Sequence, residues 1–576
     1  MTPEQRKAVQ QWVQLSLRQR ATREVDAALA DGELVREVTS HLNIPDDLEL
    51  RNLIASAGNP IRLELQNAQR RQTARNFWEA SSHRMFVIVP LLAIVLGVGA
   101  GLRLDRIGEQ SQWLDEYWAV YLATGRGNLI FDIPYGRIVQ SPPACGFTGA
   151  PAMWHIWTGI TSVIHPPLYY MTLRGWIDLF GDGDVATRMM SVAFSLGAIV
   201  LMFDAVRRSS GSTGQALAAA AMMALAPAQI DYSQTTRPYT MIEFLALLSV
   251  DLLFLIQAKG PSRRRAAALF AAFAATALTH YFTAGFFAGV GRFCVLGLRG
   301  KTRRVAILLL IAAFVFVLAA WAPMFWRTRG LMSVVNGDEQ GKGFGVIYLF
   351  FNLPRRLLLH MSMETGFLAM WGMALLVYVT PLLRLRRYPQ LLLWWLWAIC
   401  AAGFLLVWDE IHQTHLISVT RYVLVASPAI FAILATPLPT MIGKFVPGAF
   451  VIAAAAAGFA RWQAGPLPNP DIRAAAQLVM RNVPASEPIV IFADDYAGEP
   501  AFDYFAIAHY AGPWNHPVVL LQTPASEKLQ AKLAEYAATW IWCRGETTAR
   551  KAMPGWKVQQ AQHASDFYLV KMLPVR

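Results

Sequence analysis

A pair of neighbouring carboxylates, Asp115 and Glu116, lies in the aromatic stretch SQWLDEYWAVYLATG at residues 111–125. A carboxylate beside a substrate hydroxyl can accept its proton as a general base. The neighbouring Trp113 and Trp118 would lower the local polarity and so raise the basicity of that carboxylate. The same pair could equally form the solvated edge of a helix, and composition alone does not separate the two interpretations.

Further polar residues fall at the ends of apolar segments, where an ionisable group is costly and is a candidate for function. Arginine, histidine and tyrosine supply hydrogen-bond donors, so their candidate role is to bind a phosphate or another part of a substrate. They are His165, Arg237, Tyr239, His280, Tyr281, Arg421 and Tyr422. Each has a structural alternative, because a histidine can be a packing or turn residue and an arginine can extend to lipid head groups.

The composition indicates a membrane environment for these residues. The chain has 576 residues, of which 55% are hydrophobic and 15% are charged, whereas soluble domains average about 25% charged residues. The formal net charge of +13 could suit a nucleic acid. However, the lysines and arginines form short clusters between apolar segments, as the positive-inside rule predicts. We therefore expect a polytopic α-helical membrane protein without a nucleic-acid partner.

Apolar runs of roughly 17 to 25 residues predict about eleven membrane-spanning helices. The predicted spans are 85–102, 185–206, 213–231, 239–257, 266–282, 283–298, 305–323, 364–383, 390–408, 423–440 and 445–462. This arrangement places the basic clusters on one side, so the N-terminus is predicted inside and the C-terminus outside. Residues 103–164 form the first outer loop, and 324–363 form a long outer loop that could close over a substrate.

The segment HPPLYYMTLRGWIDLF, residues 165–180, is apolar enough to be a short span. Counting it as a span would invert the later loops and place their basic clusters outside, against the positive-inside rule. We therefore predict an interfacial or partly inserted helix on the outer side.

The two ends of the chain differ from the membrane module 85–462. Residues 1–84 are polar and helix-favouring, which predicts a cytosolic helical extension. Residues 463–576 are predicted to form an extracytoplasmic α/β domain. Its helix is RAAAQLVMRNV and its strands are PIVIFAD, PVVLLQ, TWIWCRG and FYLVKML. The pair Asp494-Asp495 is predicted to form a turn after the first strand.

Five sequence features in a fixed order resemble a known superfamily. The DE pair in the first outer loop is followed by HPPLYY, LFGDGDVATRMMSVAFSLGAI, TTRPYT and RYVLVASPAI. Together they resemble the GT-C membrane glycosyltransferases, in particular the branch that includes bacterial aminoarabinose–lipid A transferases and protein O-mannosyltransferases. The resemblance covers residues 85–462, and PDIRAAAQLVMRNVPASEPIVIF is similar to the extracytoplasmic domain of bacterial members.

The resemblance implies an inverting glycosyltransferase that uses a polyprenyl-phosphate sugar on the outer face of the bacterial inner membrane. The family's essential acid maps onto Asp115, with Glu116 as the second member of the pair. The acceptor could be a hydroxyl or phosphate of lipopolysaccharide, an envelope glycan, a lipid or a protein. His165 stands where the aminoarabinose branch often has lysine, and it matches the mannosyltransferase side, so the donor sugar stays open.

The alternative class is a transporter or flippase of lipid-linked sugar. A transporter is expected to contain inverted repeats and charged residues near the middle of the membrane. No repeat is evident, and the polar residues gather at span ends on one side, which favours surface chemistry. The four cysteines form no CxxC motif or Cys/His cluster. No obligatory cofactor is expected, although a divalent cation remains an alternative.

Overall fold

The computed structural model describes residues 1–18, 33–127, 132–160, 165–328, 344–360, 367–465, 470–493, 500–512 and 515–575. The chain divides into two compact units, Met1–Ala93 and Ile94–Arg576. The predicted Asp494-Asp495 turn lies outside the described residues, as do 329–343 and 361–366 of the predicted loop 324–363.

The first unit is helical, as its polar, helix-favouring sequence predicts. Its helices are α1 (Pro3–Arg18), α2 (Glu33–Leu42) and α3 (Leu48–Leu104), the last of which extends into the second unit. Val9, Val13 and Leu17 recur at helical spacing on α1, and they are buried against Leu34 and Val38 of α2. The N-terminal helices therefore have a small apolar core of their own.

The second unit begins with apolar helices, and all eleven predicted spans overlap one or two of them. In chain order the helices after α3 are α4 (Leu114–Leu122), α5 (His155–Gly159), α6 (Leu168–Phe180), α7 (Asp184–Ser210), α8 (Thr213–Leu225), α9 (Pro227–Ser233), α10 (Tyr239–Lys259), α11 (Arg263–Ala277), α12 (Thr283–Leu296), α13 (Gly300–Thr328), α14 (Phe344–Leu359), α15 (Phe367–Ala374), α16 (Thr380–Arg384), α17 (Leu391–His412), α18 (Thr420–Val423), α19 (Ser427–Leu434) and α20 (Val446–Ala464). A π-helical turn, Leu375–Val379, joins α15 to α16.

Several of these helices have the length and composition of membrane spans. Among the described residues, five meet both criteria: Val87–Leu104, Asp184–Ser210, Tyr239–Lys259, Gly300–Arg327 and Leu391–His412. Shorter apolar helices accompany them at Thr213–Leu225, Thr283–Leu296, Leu368–Arg384 and Thr420–Leu434. The segment predicted as a short interfacial helix forms α6, and it ends where Gly181 takes the left-handed φ of +86°.

The prediction of a continuous loop at 324–363 is wrong, because α13 extends to Thr328 and 344–359 form α14. Helix α14 carries two arginines and Pro354, which hide its apolar character. Arg355 is buried and donates to Asn352 Oδ1 at 2.8 Å, and Arg356 donates to the carbonyls of Ile417 and Ser418 at 3.0 and 2.7 Å. These contacts satisfy the charged groups inside the protein, which a hydropathy reading cannot anticipate.

The C-terminal residues contain the four predicted strands within a five-stranded mixed sheet. The strands are β1 (Ile489–Phe492), β2 (Val518–Leu521), β3 (Thr539–Cys543), β4 (Lys557–Ala564) and β5 (Phe567–Leu573), in the order β2-β1-β3-β5-β4. β1 runs parallel to β2 and β3, and β5 runs antiparallel to β3 and β4. The helices are α21 (Ile472–Asn482), α22 (Pro500–Ala511), α23 (Glu527–Leu533) and α24 (Glu546–Ala552). The sequence missed β4 because KVQQAQHA is polar and mostly exposed at the sheet edge.

The first outer loop extends the opposite edge of this sheet. Val139 and Val518 of β2 exchange two backbone hydrogen bonds of 2.9 Å, and Tyr135 forms a bridge with Leu520. The loop thereby covers an edge strand whose backbone groups would otherwise be unpaired.

Helix α22 contacts α4, the helix that carries the acidic pair. The Phe505 ring makes edge-to-face contacts with Tyr117, Trp118 and Tyr121, at centroid distances of 5.3, 5.6 and 4.6 Å. The C-terminal domain therefore contributes directly to the position of α4.

Candidate functional site

Glu116 is a buried carboxylate whose contacts fix the start of α4. It accepts hydrogen bonds from Arg188 Nε and Nη2 at 2.8 and 2.7 Å, one on each carboxylate oxygen. The backbone N–H groups of Thr236 and Trp113 donate to it at 2.9 and 3.3 Å. Its contacts suit a positioning role, because four donors already occupy the carboxylate. The catalytic role expected for Glu116 stays a prediction.

Asp115, one residue earlier, has a different environment. Its side chain is 23% exposed, and Oδ2 lies 3.8 Å from Nη2 of both Arg237 and Arg421. Both distances are too long for a hydrogen bond, so the two guanidinium groups flank the carboxylate without engaging it directly. One negative and two positive groups leave a local excess of positive charge. Such a site can attract a phosphate while its carboxylate stays accessible.

Local contacts hold the two arginines in place. Arg237 is buried in the segment before α10, and its Nη1 donates to the Asp115 carbonyl at 3.1 Å. The Arg421 guanidinium lies over the rings of Trp113 and Tyr422, at 5.5 and 5.0 Å from the centroids. Aromatic faces of this kind stabilise a guanidinium group through cation–π attraction.

Two histidines and a tyrosine extend the site. The rings of His165 and His280 lie 4.7 Å apart, and the rings of His280 and Tyr239 lie 6.2 Å apart. His280 Nδ1 accepts from the Phe282 N–H at 3.1 Å, so the neutral ring carries its proton on Nε2. Burial, together with His280, Arg237 and Arg421, lowers the pKa of His165 well below its ordinary value.

Several buried polar atoms of this cluster lack a hydrogen-bond partner among the described residues. They are His165 Nδ1, Arg237 Nε, Tyr239 Oη, His280 Nε2 and Arg421 Nε. Buried polar groups in native proteins are nearly always paired, so such a concentration indicates a place where a ligand or water completes the network. Asp115 and the buried atoms of this cluster are called the acid–arginine site below.

Tyr281 and Tyr422 lie at the border of the acid–arginine site. The Tyr281 hydroxyl accepts from Trp321 Nε1 at 2.7 Å, which ties the turn before α12 to α13. The Tyr422 ring packs edge-to-face on Phe282 at 4.7 Å. Both tyrosines were predicted to bind substrate, and that role stays a prediction.

Arg188 is the residue of this region that the sequence analysis missed. It holds Glu116 and also donates to the carbonyls of Ile107, Gln110 and Ser111 at 2.8, 2.9 and 3.1 Å. It lies inside the predicted span 185–206, and an arginine within an apolar span is itself a signal of function or of a buried partner.

An apolar cavity borders the acid–arginine site at His280. Its volume is about 590 Å³, and α11, α12 and α13 supply most of its lining. The polar residues of the lining, His280, Tyr281 and Thr283, occur at the turn between α11 and α12 and at the start of α12. Within the described part of the chain, no group of three or more histidine, cysteine or acidic residues could hold a metal ion.

The described residues thus combine apolar helices of membrane-spanning length with a charged site and an adjoining apolar cavity. A family model described as dolichyl-phosphate-mannose-protein mannosyltransferase matches residues 164–326. No protein matches the chain in a search of the curated proteins.

Solved structures extend the likeness over most of the chain. ArnT from Cupriavidus metallidurans in the apo state aligns with a TM-score of 0.53 at 13% identity, covering 85% of this chain and 98% of that chain. ArnT bound to undecaprenyl phosphate gives 0.49 at 13% identity, with 84% and 98% covered. The Archaeoglobus fulgidus oligosaccharyltransferase in the apo form gives 0.47 at 13% identity, with 79% and 69% covered. The family match and the apo ArnT alignment confirm the predicted resemblance to the GT-C superfamily.

Proposed function

We propose that this protein is a glycosyltransferase that moves a monosaccharide from a polyprenyl-phosphate donor to an acceptor hydroxyl or phosphate. The observation that carries the proposal is the Asp115 carboxylate, which lies between Arg237 and Arg421 without a direct hydrogen bond to either side chain. The arrangement offers one base and two phosphate-binding cations in a single site.

In the proposed step, the acceptor oxygen attacks the anomeric carbon of the donor sugar and forms the new glycosidic bond. The proton of an acceptor hydroxyl passes to the Asp115 carboxylate. The bond between the anomeric carbon and the phosphate oxygen breaks, and its electron pair leaves with the polyprenyl phosphate. A single displacement of this kind inverts the anomeric configuration.

Arg237 and Arg421 would stabilise the leaving phosphate. The negative charge on the bridging oxygen grows as the bond breaks, and cations fixed in advance stabilise it best where water is scarce. The unpartnered Nε atoms of both arginines, with His280 Nε2, are available donors for this group. His165 would contribute to binding of the leaving phosphate as a neutral imidazole.

The apolar cavity beside His280 suits the prenyl chain of the donor. Aliphatic and aromatic side chains form most of its wall, including Phe273, Phe287, Leu310 and Phe314. A prenyl chain bound there would place its phosphate at the turn that carries His280, next to Arg421. The ArnT complex with undecaprenyl phosphate supports a donor of this kind.

We further propose that transfer takes place on the outer face of a bacterial inner membrane. The support comes from the sequence, since the basic clusters fall at the ends of the helices opposite to the acid–arginine site. Acceptors on that face include lipopolysaccharide, envelope glycans, lipids and proteins.

The test is Asp115→Asn, which keeps the shape of the side chain and removes its basicity. A base contributes about 10²- to 10⁴-fold to a rate, so sugar transfer should fall by that factor while undecaprenyl phosphate still binds the purified protein. Mass spectrometry of envelope glycolipids and glycans from cells with and without the gene identifies the product.

Asp204→Asn is a matched control, because Asp204 also pairs with two arginines. It lies near the C-terminal end of α7, whereas Arg188, which holds Glu116, lies near the N-terminal end. Transfer by the control should be unchanged. Near-normal transfer by Asp115→Asn would remove Asp115 from the role of base, and absence of undecaprenyl phosphate binding to the native protein would contradict the donor class.

A further inference from the structure

Arg421 also lines a second cavity. Its volume is about 250 Å³, and Trp113, Asp231, Tyr232, Arg421 and Arg461 contribute to its lining. Drug-sized ligands occupy pockets of about 300 Å³ or more, so this polar cavity suits one small ring. Arg421 also borders a small cavity that includes His280. Arg421 therefore borders the polar cavity and the small cavity, and His280 borders the small cavity and the apolar cavity.

The charges of the polar cavity are neutralised in pairs. Asp231 Oδ1 pairs with Arg461 Nε, and Glu116 pairs with Arg188. The third arginine of the lining, Arg106, lies 3.5 Å from Asp105. The fourth, Arg421, shares Asp115 with Arg237, so excess positive charge is concentrated at the acid–arginine site. A phosphate is therefore expected to prefer that site, and a neutral polar ligand the cavity.

The cavity also combines aromatic faces with a polar group that lacks a partner. The Trp113 and Tyr232 rings contribute apolar faces, and Asp231 Oδ2 has no hydrogen-bond partner among the described residues. A sugar ring has an apolar face of C–H bonds and a rim of hydroxyl groups, which complement an aromatic ring and a carboxylate respectively. A peptide chain would require a longer groove with backbone partners.

Two residues of the lining hold an unusual backbone conformation. Arg106 and His360 have φ values of +56° and +50° and neither is glycine. Non-glycine residues in the left-handed region are uncommon and concentrate at functional sites, where the surrounding structure enforces them. Arg106 follows α3 and His360 follows α14, so the C-terminal ends of two separate helices meet at the cavity.

We propose that this polar cavity is the acceptor subsite and that it takes one sugar ring, which makes the acceptor a glycan or glycolipid. The proposal rests on the proposed function and names its acceptor class. Asp231 and Trp113 would hold the ring beside Arg421, whose Nη2 lies 3.8 Å from Asp115 Oδ2. The donor would approach from the apolar cavity at His280.

The test uses the full-length protein in nanodiscs and saturation-transfer NMR. The probes are methyl glycosides of common hexoses, hexosamines and pentoses, with the peptide acetyl-Ala-Thr-Ala-amide for comparison. We expect at least one glycoside to bind saturably and the peptide not to bind. Asp231→Asn should weaken that binding at least fivefold, and Asp204→Asn should leave it unchanged. Trp113→Leu is a second variant that leaves the Asp231–Arg461 pair intact, and it should weaken binding to a similar degree.

Three results would overturn the proposal: binding of the peptide alone, absence of glycoside binding, or equal binding to both cavity variants and the native protein. Displacement of the glycoside by undecaprenyl-phosphate-linked glucose, but not by undecaprenyl phosphate, would assign the cavity to the donor sugar and also overturn it. Undecaprenyl phosphate binding is measured on the same samples. If it is retained while glycosides fail to bind, the acceptor inference fails and the proposed function stands.

Discussion

At the scale of single residues, the adjacent Asp115 and Glu116 differ in what surrounds them. Glu116 is enclosed by four hydrogen bonds, and its loss would leave the buried Arg188 charge with carbonyl partners but without its paired carboxylate. Breaking a buried ion pair from one side costs about 3–5 kcal/mol. We expect Glu116→Gln to lower the free energy of unfolding by most of that amount, and Asp115→Asn to change it by less than about 1 kcal/mol.

Thermal unfolding of both variants in detergent, followed by tryptophan fluorescence, measures this contrast. A stable Glu116→Gln protein that has lost transfer would show instead that Glu116 takes part in the chemistry. The double variant Glu116→Gln with Arg188→Met should recover part of the stability, because it removes the uncompensated charge together with its partner.

The pKa of His165 has a consequence for stability at acidic pH. Burial and the neighbouring His280, Arg237 and Arg421 hold this pKa well below its ordinary value, whereas in an unfolded chain it is about 6.5. Below that pH the unfolded state binds a proton that the folded state does not, so stability decreases as the pH falls. We expect His165→Gln to lose less thermal stability than the native protein between about pH 7 and pH 5. Equal losses in the two proteins would exclude His165 as a cause.

Part of the site could be predicted because ionisable residues are rare in and beside apolar spans. Asp115, Arg237 and Arg421 were found from their position at the ends of apolar runs, and the structure brings them together. Arg188 was missed because it lies within an apolar run and its partner Glu116 is 72 residues away in the sequence. The division between an accessible Asp115 and a saturated Glu116 depends on Thr236 and Arg188, which approach from distant parts of the chain.

At the scale of elements, α4 packs against α6 and α22 and is tied to α7 by the Glu116–Arg188 pair. The contacts of Phe505 with three aromatic residues of α4 hold the face opposite to the arginines. Edge-to-face pairs contribute about 0.5–1.5 kcal/mol each beyond the area that they bury. We expect Phe505→Leu to lower the rate of sugar transfer about tenfold by loosening α4, since small displacements of catalytic groups are costly.

The rate of transfer and the proteolytic sensitivity of residues 111–125 measure this effect together. Phe567→Leu is the matched control, because Phe567 is a buried phenylalanine of the same domain that stacks on Trp542 of the sheet. The positioning role predicts a lower kcat with little change in KM for the donor. An equal loss in both variants would indicate general destabilisation of the domain.

The helices and strands differ in how well the sequence predicts them. Apolar runs mark the spans because the lipid interior tolerates few charges. Helix α14 was not predicted because its arginines, which find carbonyl partners on another segment, mask its apolar pattern. Strand β4 was not predicted because an exposed edge strand needs no apolar alternation. The two failures have different causes: the carbonyl partner of Arg356 on Ile417 lies 61 residues away, whereas β4 pairs with the adjacent β5 and lacks only an apolar pattern.

At the scale of the whole molecule, the membrane helices and the C-terminal domain depend on each other. The Tyr510 hydroxyl donates to Asp184 Oδ1 at 3.1 Å and accepts from the Gln112 N–H at 2.6 Å. The Tyr504 hydroxyl donates to the Pro143 carbonyl at 2.7 Å. We expect a chain truncated after Gly465 to insert into the membrane but to lose sugar transfer, because α4 and the first outer loop lose their packing partners.

Membrane fractionation and the glycan profile of cells that produce the truncated chain would check this expectation. Selection of the acceptor is a second proposed role for the C-terminal domain. If the truncated chain transferred sugar to a broader set of acceptors, selection would be the main role and positioning of α4 would be excluded.

The contact of the segment before α4 with the C-terminal domain also sets an order in time. Gln112 and Tyr510 are separated by 398 residues. At about 5–20 residues per second, the ribosome needs roughly 20 to 80 s to make the second partner after the first. During that interval the aromatic residues of α4 lack their packing partner Phe505, so chaperones and proteases can reach them. If translation stops before the C-terminal domain is made, Asp115 and Glu116 are present but α4 lacks its packing partners. The site is therefore complete only after the C-terminal domain has folded against α4.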